Sequence, residues 1–230
     1  GWNDVALCER YELTAGATWH SSGHISAFTP TKTLCDLAMT TRRLLRALET
    51  ESGQMVGLVD SGSLRLARSP EQLAEYETIA EMLNPSGLDT SVLGATETSA
   101  MWPLMKADDV YGALYLPHDC YLNAADLTQA YAKAARGRGA RIFRNTGVDA
   151  IEHLPSGEWR LETTDGVFAC EHVVSATGIF ARNSPLSRYF TLPCATISHQ
   201  YVVTAPIEEI RHRHSTDESR LPILRQPDIK

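Results

Sequence analysis

The chain has no run of apolar residues approaching the ~20 needed to span a bilayer. It also does not open on a basic stretch followed by an apolar one, so neither a membrane anchor nor a secretory leader is read from it. Its five cysteines, Cys8, Cys35, Cys120, Cys170 and Cys194, stand singly and never in a Cys-x-x-Cys spacing, which argues against a disulfide framework and against a zinc site. They are read as reduced thiols, and no metal ligands are assigned. Positive charge is also in deficit: 21 Lys and Arg face 28 Asp and Glu, and only Arg136, Arg138, Arg141 and Arg144 cluster. A general nucleic-acid surface is therefore not expected. Internal repeats and low-complexity tracts are absent. A Met start is missing as well, "GWNDVALCER" enters a strand at once, and "LPILRQPDIK" stops without a closing element, so the chain reads as an internal piece of a longer protein.

What is present is an ordinary folding composition, 43% hydrophobic and 21% charged, sufficient for one large domain or two small ones. Val5 to Cys8 reads as a buried parallel strand with Glu9 at its carboxyl end. Leu34, Leu37, Ala38, Thr41, Leu44, Leu45 and Leu48 recur at helical spacing and predict a helix over about 33–51. "GLVDSGSLRLA" reads as two short strands about a Ser61-Gly62-Ser63 turn. In "SPEQLAEYETIAEML", Ser69 is the cap, Pro70 the first helical residue and Gln72 the residue three after the cap. "GALYLP" is a strand, Asn123 and Asp126 open a third helix that ends at Gly137 and Gly139, and "ARIFR" follows as a strand. Between Gly147 and Thr177, "PSG" and "DG" break an antiparallel meander, which ends in the apolar run "HVVSATG". This order predicts an α/β nucleotide-binding core interrupted by a β-rich subdomain.

An acid at the end of a Rossmann strand binds the ribose hydroxyls of a dinucleotide, about 20 residues beyond a glycine-rich turn. Glu9 has that place, but the glycine turn is not in the chain. From the residues alone, Glu9 is either such an acid or a solvated strand end. His20, in the small-residue loop "LTAGATWHSSGH", is either a functional imidazole or a loop histidine beside a packed Trp19. His24 reads as a polar loop residue. His199 and Tyr201 alternate along "ISHQYVVT" and share a face if that stretch is a strand.

The stretch "ERYELTAGATWHSSGH" resembles the signature of the D-amino-acid-oxidase-type flavoenzymes, specifically the dimethylglycine and sarcosine dehydrogenase group. "ESGQMVGLVDSGSLRLARSPEQL", "YLPHDCYLNAADLTQAYAKAARGRGARI", "HVVSATGIFAR" and "ISHQYVVT" are similar to later segments of the same group, so the resemblance spans nearly the whole chain. It implies an α/β fold, a truncated FAD-binding Rossmann-like core with an antiparallel β-rich substrate subdomain. Residues 1–54 and 107–194 would form the FAD-binding part, and 55–106 with 195–230 the substrate part.

In the resemblance, Glu9 and Arg10 lie at the adenosine end of FAD. The loop from Gly16 through Thr18 and Trp19 to Gly23 runs toward the flavin ring, His20 is covalently linked to the ring's 8α-methyl carbon, Val148 lies by the adenine, and Ala176 and Gly178 pass close to the flavin. His199 and Tyr201 are the catalytic candidates on the substrate side. The implied activity is oxidative N-demethylation of an N-methylglycine-type amine, with oxygen or an electron-transfer flavoprotein as acceptor and a folate acceptor in a later domain. The implied compartment is the cytoplasm or the mitochondrial matrix, and no membrane or nucleic-acid partner is implied. A non-catalytic regulatory or structural relative is the alternative. One departure is visible: the group's Asp-Gly turn is Asp119-Cys120 here, which bears on the entry to the third helix.

Overall fold

The computed structural model describes residues 2–29, 31–215 and 220–226, so Gly1 and residues 227–230, part of the reading of the two ends, lie outside it. In chain order the elements are β1 (Ala6–Cys8), β2 (His24–Ile25), α1 (Lys32–Ser52), β3 (Ser63–Ala67), α2 (Pro70–Leu83), β4 (Ser91–Gly94), α3 (Ala95–Met101), β5 (Gly112–Leu116) and β6 (Cys120–Tyr121). There follow α4 (Ala124–Gly137), β7 (Arg141–Phe143), β8 (Val148–His153), β9 (Trp159–Thr163), β10 (Gly166–Cys170), α5 (Glu208–Ser215) and β11 (Ile223–Arg225). The fold is mixed α/β with strands in several sheets. The chain divides into two compact units: residues 1–21, 50–54 and 124–202 form the first, and 22–49, 55–123 and 203–230 the second.

The second unit is built on the sheet β11-β3-β5-β4, with β3 antiparallel to β5 and parallel to β11. "SLRLA" is covered on both faces, every residue but half-buried Arg65 being buried. On one face Ala67, Leu114 and Leu116 pack with Cys35 of α1 and Tyr76, Ala80 and Leu83 of α2. On the other, Leu64, Leu66 and Ala113 pack with Met101 and Trp102. Leu64 and Leu114 are fully buried, each contributing about 1.5–3 kcal/mol of transfer energy. Helix α2 starts where its cap predicts: Ser69 Oγ accepts from Gln72 N at 3.2 Å, while Gln72 Oε1 accepts from Arg68 N at 2.7 Å. Val59, expected in a strand before the Ser61 turn, makes only an isolated bridge to Tyr121.

In the first unit β1 and β7 pair in parallel, Ala6 with Arg141 and Cys8 with Phe143, and β8, β9 and β10 form the antiparallel meander. The Phe143 ring meets Phe168 of β10 edge-on, centroids 4.9 Å apart, linking the two sheets. Burial pushes the Cys8 thiol up from its ordinary value and the neighbouring Cys170 adds to this, so both stay protonated near neutral pH.

Two expectations are corrected here. β1 is parallel but not buried, with Val5 and Leu7 exposed, because among the described residues it pairs with β7 alone and its faces are left largely uncovered. The stretch "ISHQYVVT" forms no strand: its apolar alternation has no neighbouring edge to complete a ladder, and Val202 is 88% exposed.

Three of the four clustered arginines are engaged internally. Arg138 holds Glu51 through Nε and Nη2 (2.7 and 2.9 Å), Arg141 holds Asp4 (2.6 Å) and Arg144 holds Glu12 (2.7 Å). Among the described residues no helix is long and apolar enough to cross a membrane.

Candidate functional site

The end of β1 is tied to the segment before β8 through backbone. Glu9 N donates to Phe143 O (2.8 Å) and Thr146 N donates to Glu9 O (2.8 Å). Gly147 stands against Arg10, whose Cγ a β-carbon there would meet at 3.6 Å, and Val148 begins β8 one residue later. Glu9, Arg10 and Val148 are therefore neighbours although about 140 positions separate them in sequence. Half-buried Glu9 accepts from Tyr11 N through Oε1 at 2.9 Å, which folds the chain away from the strand direction. Its Oε2 has no partner among the described residues, so one carboxylate oxygen remains to accept from a ligand hydroxyl.

From Glu9 the chain runs through a tight loop in which Thr14 has φ +76, a left-handed conformation that a β-branched residue adopts only when its surroundings impose it. A 3-10 turn, Ala17–His20, follows and packs on α4. Its first four backbone positions leave Trp19 (69% exposed) and His20 outside the core. The His20 Nδ1 lies 3.3 Å from the Tyr201 hydroxyl, with ring centroids 6.3 Å apart. Trp19 flanks the same imidazole at 6.3 Å in an edge-on arrangement.

The structure thus brings Tyr201 to His20. His199 stands apart, exposed and without a hydrogen bond among the described residues. Thr18, half-buried, accepts from Ser21 N through its carbonyl (3.1 Å) and closes the turn.

Four of the remaining candidates differ in what surrounds them. Gly16 and Gly178 face open space, with nothing within 4 Å of where a β-carbon would be, so a ligand can approach both backbones. Ala176 is exposed in the segment before the 3-10 turn Gly178–Asn183. Gly23 is different: it is buried, has φ +69, and a β-carbon would fall 1.9 Å from Leu122 O. Its glycine requirement comes from the chain's own backbone, which Leu122 N reinforces by donating to Gly23 O at 3.1 Å.

In the second unit a fully buried carboxylate organises the residues after Gly23. Asp119 Oδ1 accepts from Ala27 N (2.7 Å), and Oδ2 receives Ser63 Oγ (2.6 Å), Ser26 Oγ (3.1 Å) and His24 Nε2 (3.2 Å). Burial alone would raise the pKa of this carboxyl and is the largest influence on it. The hydrogen bonds from His24, Ser63 and Ala27, with the charge of His24, together hold it below the ordinary carboxylate value.

The sequence reading took His24 for a polar loop residue and Asp119 only as part of a departing turn, whereas His24 lies in β2 and bonds to Asp119. The usable signal was an acid inside "LPHDCYL", because a charge in an apolar run must find several donors. Cys120, the departure from the Asp-Gly turn, is itself buried in β6 opposite Ile25.

Taken together, an acid at a strand end with a free oxygen, two glycines open to approach and a solvent-accessible imidazole in a constrained loop suit a dinucleotide cofactor that extends from a ribose to a reactive ring. Comparison with known proteins agrees in class. The family described as "FAD dependent oxidoreductase" matches residues 1–228. The chain is 32% identical over 225 residues to the mitochondrial dimethylglycine dehydrogenase of Rattus norvegicus, covering 98% of this chain and 26% of that protein. It is 34% identical over 218 residues to the mitochondrial sarcosine dehydrogenase of Homo sapiens, covering 92% and 24%. The solved structure of glycine oxidase from Geobacillus kaustophilus superposes with a TM-score of 0.71 at 30% identity, over 81% of this chain and 51% of that one. The chain spans about a quarter of the length of these dehydrogenases. On the match of the family along its length, the chain belongs to the FAD-dependent oxidoreductases of the D-amino-acid-oxidase type.

Proposed function

We propose that this chain is the part of a flavin-dependent amine oxidoreductase that holds FAD at the first unit and contributes to the oxidative N-demethylation of an N-methylglycine-type amine. The observation that carries the reading is the placement of His20 and Tyr201, about 180 positions apart in sequence, side by side at 3.3 Å on the constrained loop that follows Glu9.

Glu9 accepts from the adenosine ribose hydroxyls, Arg10 and the backbone by Val148 flank the adenosine end, and Gly16, Ala176 and Gly178 allow close approach of backbone. His20, with Trp19 beside it, would be the residue that holds the ring through its 8α-methyl carbon. FAD, when bound, supplies the acceptor for a hydride equivalent from the N-methyl carbon. The resulting iminium takes up water to give formaldehyde and the demethylated amine, so each turnover moves two electrons to the cofactor. His199, unpartnered and exposed, is the group placed to bind the amino-acid carboxylate or accept a proton. Electrons then pass to oxygen or to an electron-transfer flavoprotein. The division read from the sequence, 1–54 with 107–194 for the cofactor and 55–106 with 195–230 for the substrate, differs from the compact units, which place 22–49 and 107–123 in the second unit and 195–202 in the first.

The test is anaerobic mixing of the full-length protein with sarcosine and with dimethylglycine. Bleaching of the visible flavin band with release of formaldehyde is expected from at least one of them. In His199→Ala the bleaching slows by ~100- to 10,000-fold and its pH profile loses one limb, while the cofactor stays in place. Failure of both amines to reduce the flavin overturns the substrate class, and an unchanged rate and pH profile in His199→Ala removes that residue from the chemistry.

A further inference from the structure

Arg65 lies in the middle of β3, between Leu64 and Leu66, both buried, with Leu114 of β5 as its cross-strand partner on one side. Its partner on the other side, in the parallel ladder with β11, is Arg225. Partners in a ladder project to the same face of the sheet, so two half-buried arginines stand next to each other on neighbouring strands. Like charges placed opposite one another destabilise a sheet unless something lies between them.

Nothing in the described chain does. Arg42 and Arg46 share Asp60, and Arg68 holds Asp109. Asp119, bonded to Ser63 two residues before Arg65, is already committed to His24, Ser26, Ala27 and Ser63. Among the described residues neither the Arg65 nor the Arg225 guanidinium forms an ion pair or a hydrogen bond. The Arg65 Nε is also sealed from solvent without a partner among the described residues, an unfavourable state for a charged donor. The Arg65 guanidinium lies over the Phe28 ring, its Cζ 4.6 Å from the centroid, which fixes the plane of the fork before any ligand arrives.

We propose that Arg65 and Arg225 form a binding site for a small oxyanion, a carboxylate or a phosphate, on the β3–β11 face beside Phe28. A guanidinium fork matches either group with two parallel N–H···O bonds. A ligand bridging the two forks relieves the repulsion between them and gives the orphaned Nε an acceptor. All the groups involved belong to the second unit, so the site stands independently of the flavin reading.

The experiment is calorimetric titration of the full-length protein with succinate and, separately, with inorganic phosphate, repeated on Arg225→Gln and Arg65→Met. Saturable one-to-one binding is expected from at least one of the anions, weakening with added salt. Each substitution reduces it by about 10- to 100-fold, the loss of one charge-assisted pair. Binding of succinate alone assigns a carboxylate ligand, binding of phosphate alone a phosphoryl one, and binding of both the shared oxyanion chemistry. Because β11 is the edge strand of its sheet, Arg225→Gln leaves the fold intact even if Arg65→Met does not. Absence of binding by both anions, or equal affinity in the wild type and Arg225→Gln, overturns the proposal.

Discussion

The two compact units spend their polar groups in opposite ways. In the second, a four-stranded sheet and its helices enclose a core that includes Leu64, Leu66, Tyr76, Leu83, Leu114 and Leu116, although Leu37 and Leu44 on the outer side of α1 are exposed, and the buried carboxylate among the described residues, Asp119, receives four donors. In the first, the buried apolar residues among those described are Ala130, Ala132, Ile151 and Leu186, while Val5, Leu7, Val174, Ile179, Phe180 and Val202 are exposed. Among the described residues its candidate site keeps free polar atoms, Oε2 of Glu9 and the imidazole of His199. A closed polar network stabilises a fold; an open one has capacity for a ligand. The contrast explains why the residues resembling a flavin site lie in the less covered unit.

The comparison breaks most severely if the closed network is opened. Asp119→Ala leaves His24, Ser26, Ser63 and the Ala27 N–H short of an acceptor in a buried place, and is expected to destabilise the second unit by about 3–5 kcal/mol in denaturant unfolding. The pH dependence has a definite sign. A carboxyl whose folded pKa is lowered contributes stability that is complete above its unfolded value of about 3.9 and is lost as pH falls through the folded value. The stability gap between wild type and Asp119→Asn therefore stays constant from neutral pH to about pH 5 and narrows below pH ~4. A gap that does not change in acid contradicts the charged network.

A smaller effect sharpens the other side. With the proposed covalent link removed by His20→Ala, Glu9→Ala is expected to weaken FAD binding by about 1.5–3 kcal/mol in equilibrium dialysis, and Glu9→Gln by less, since the amide still accepts from Tyr11 N. An unchanged dissociation constant in both removes Glu9 from the ribose site. The smallest effect belongs to the exposed ion pairs. Arg144→Ala, which loses Glu12, is expected to shift unfolding by no more than about 1 kcal/mol. A larger loss would mean that the first unit relies on surface charge rather than on a bound partner for its order.

How far the sequence discloses this arrangement depends on the range of the interactions. Helix α2 is legible because its cap, Ser69 to Gln72, is local, and the β8–β10 meander because turns at Gly157 and Gly166 separate short alternating strands. The Trp19-His20 loop is legible as a motif of small residues around an imidazole. The Asp119 network is not, since its bonds join positions more than 50 apart. Nor is the proximity of Tyr201 to His20, which needs the chain to return after some 180 residues. The "ISHQYVVT" stretch misleads for a related reason: alternation predicts which face a strand buries, and it says nothing of whether an edge is there to pair with. The Arg65–Arg225 pairing depends likewise on a register that no local pattern encodes.

The measurement closest to the central claim, that the first unit holds FAD and anchors it through His20, is a denaturing gel of the acid-precipitated full-length protein viewed for flavin fluorescence. Fluorescence is expected to travel with the wild-type band and to be absent from the His20→Ala band, although that variant still binds FAD before denaturation. Fluorescence released into the supernatant from the wild type, or retained by the His20→Ala band, would contradict the account.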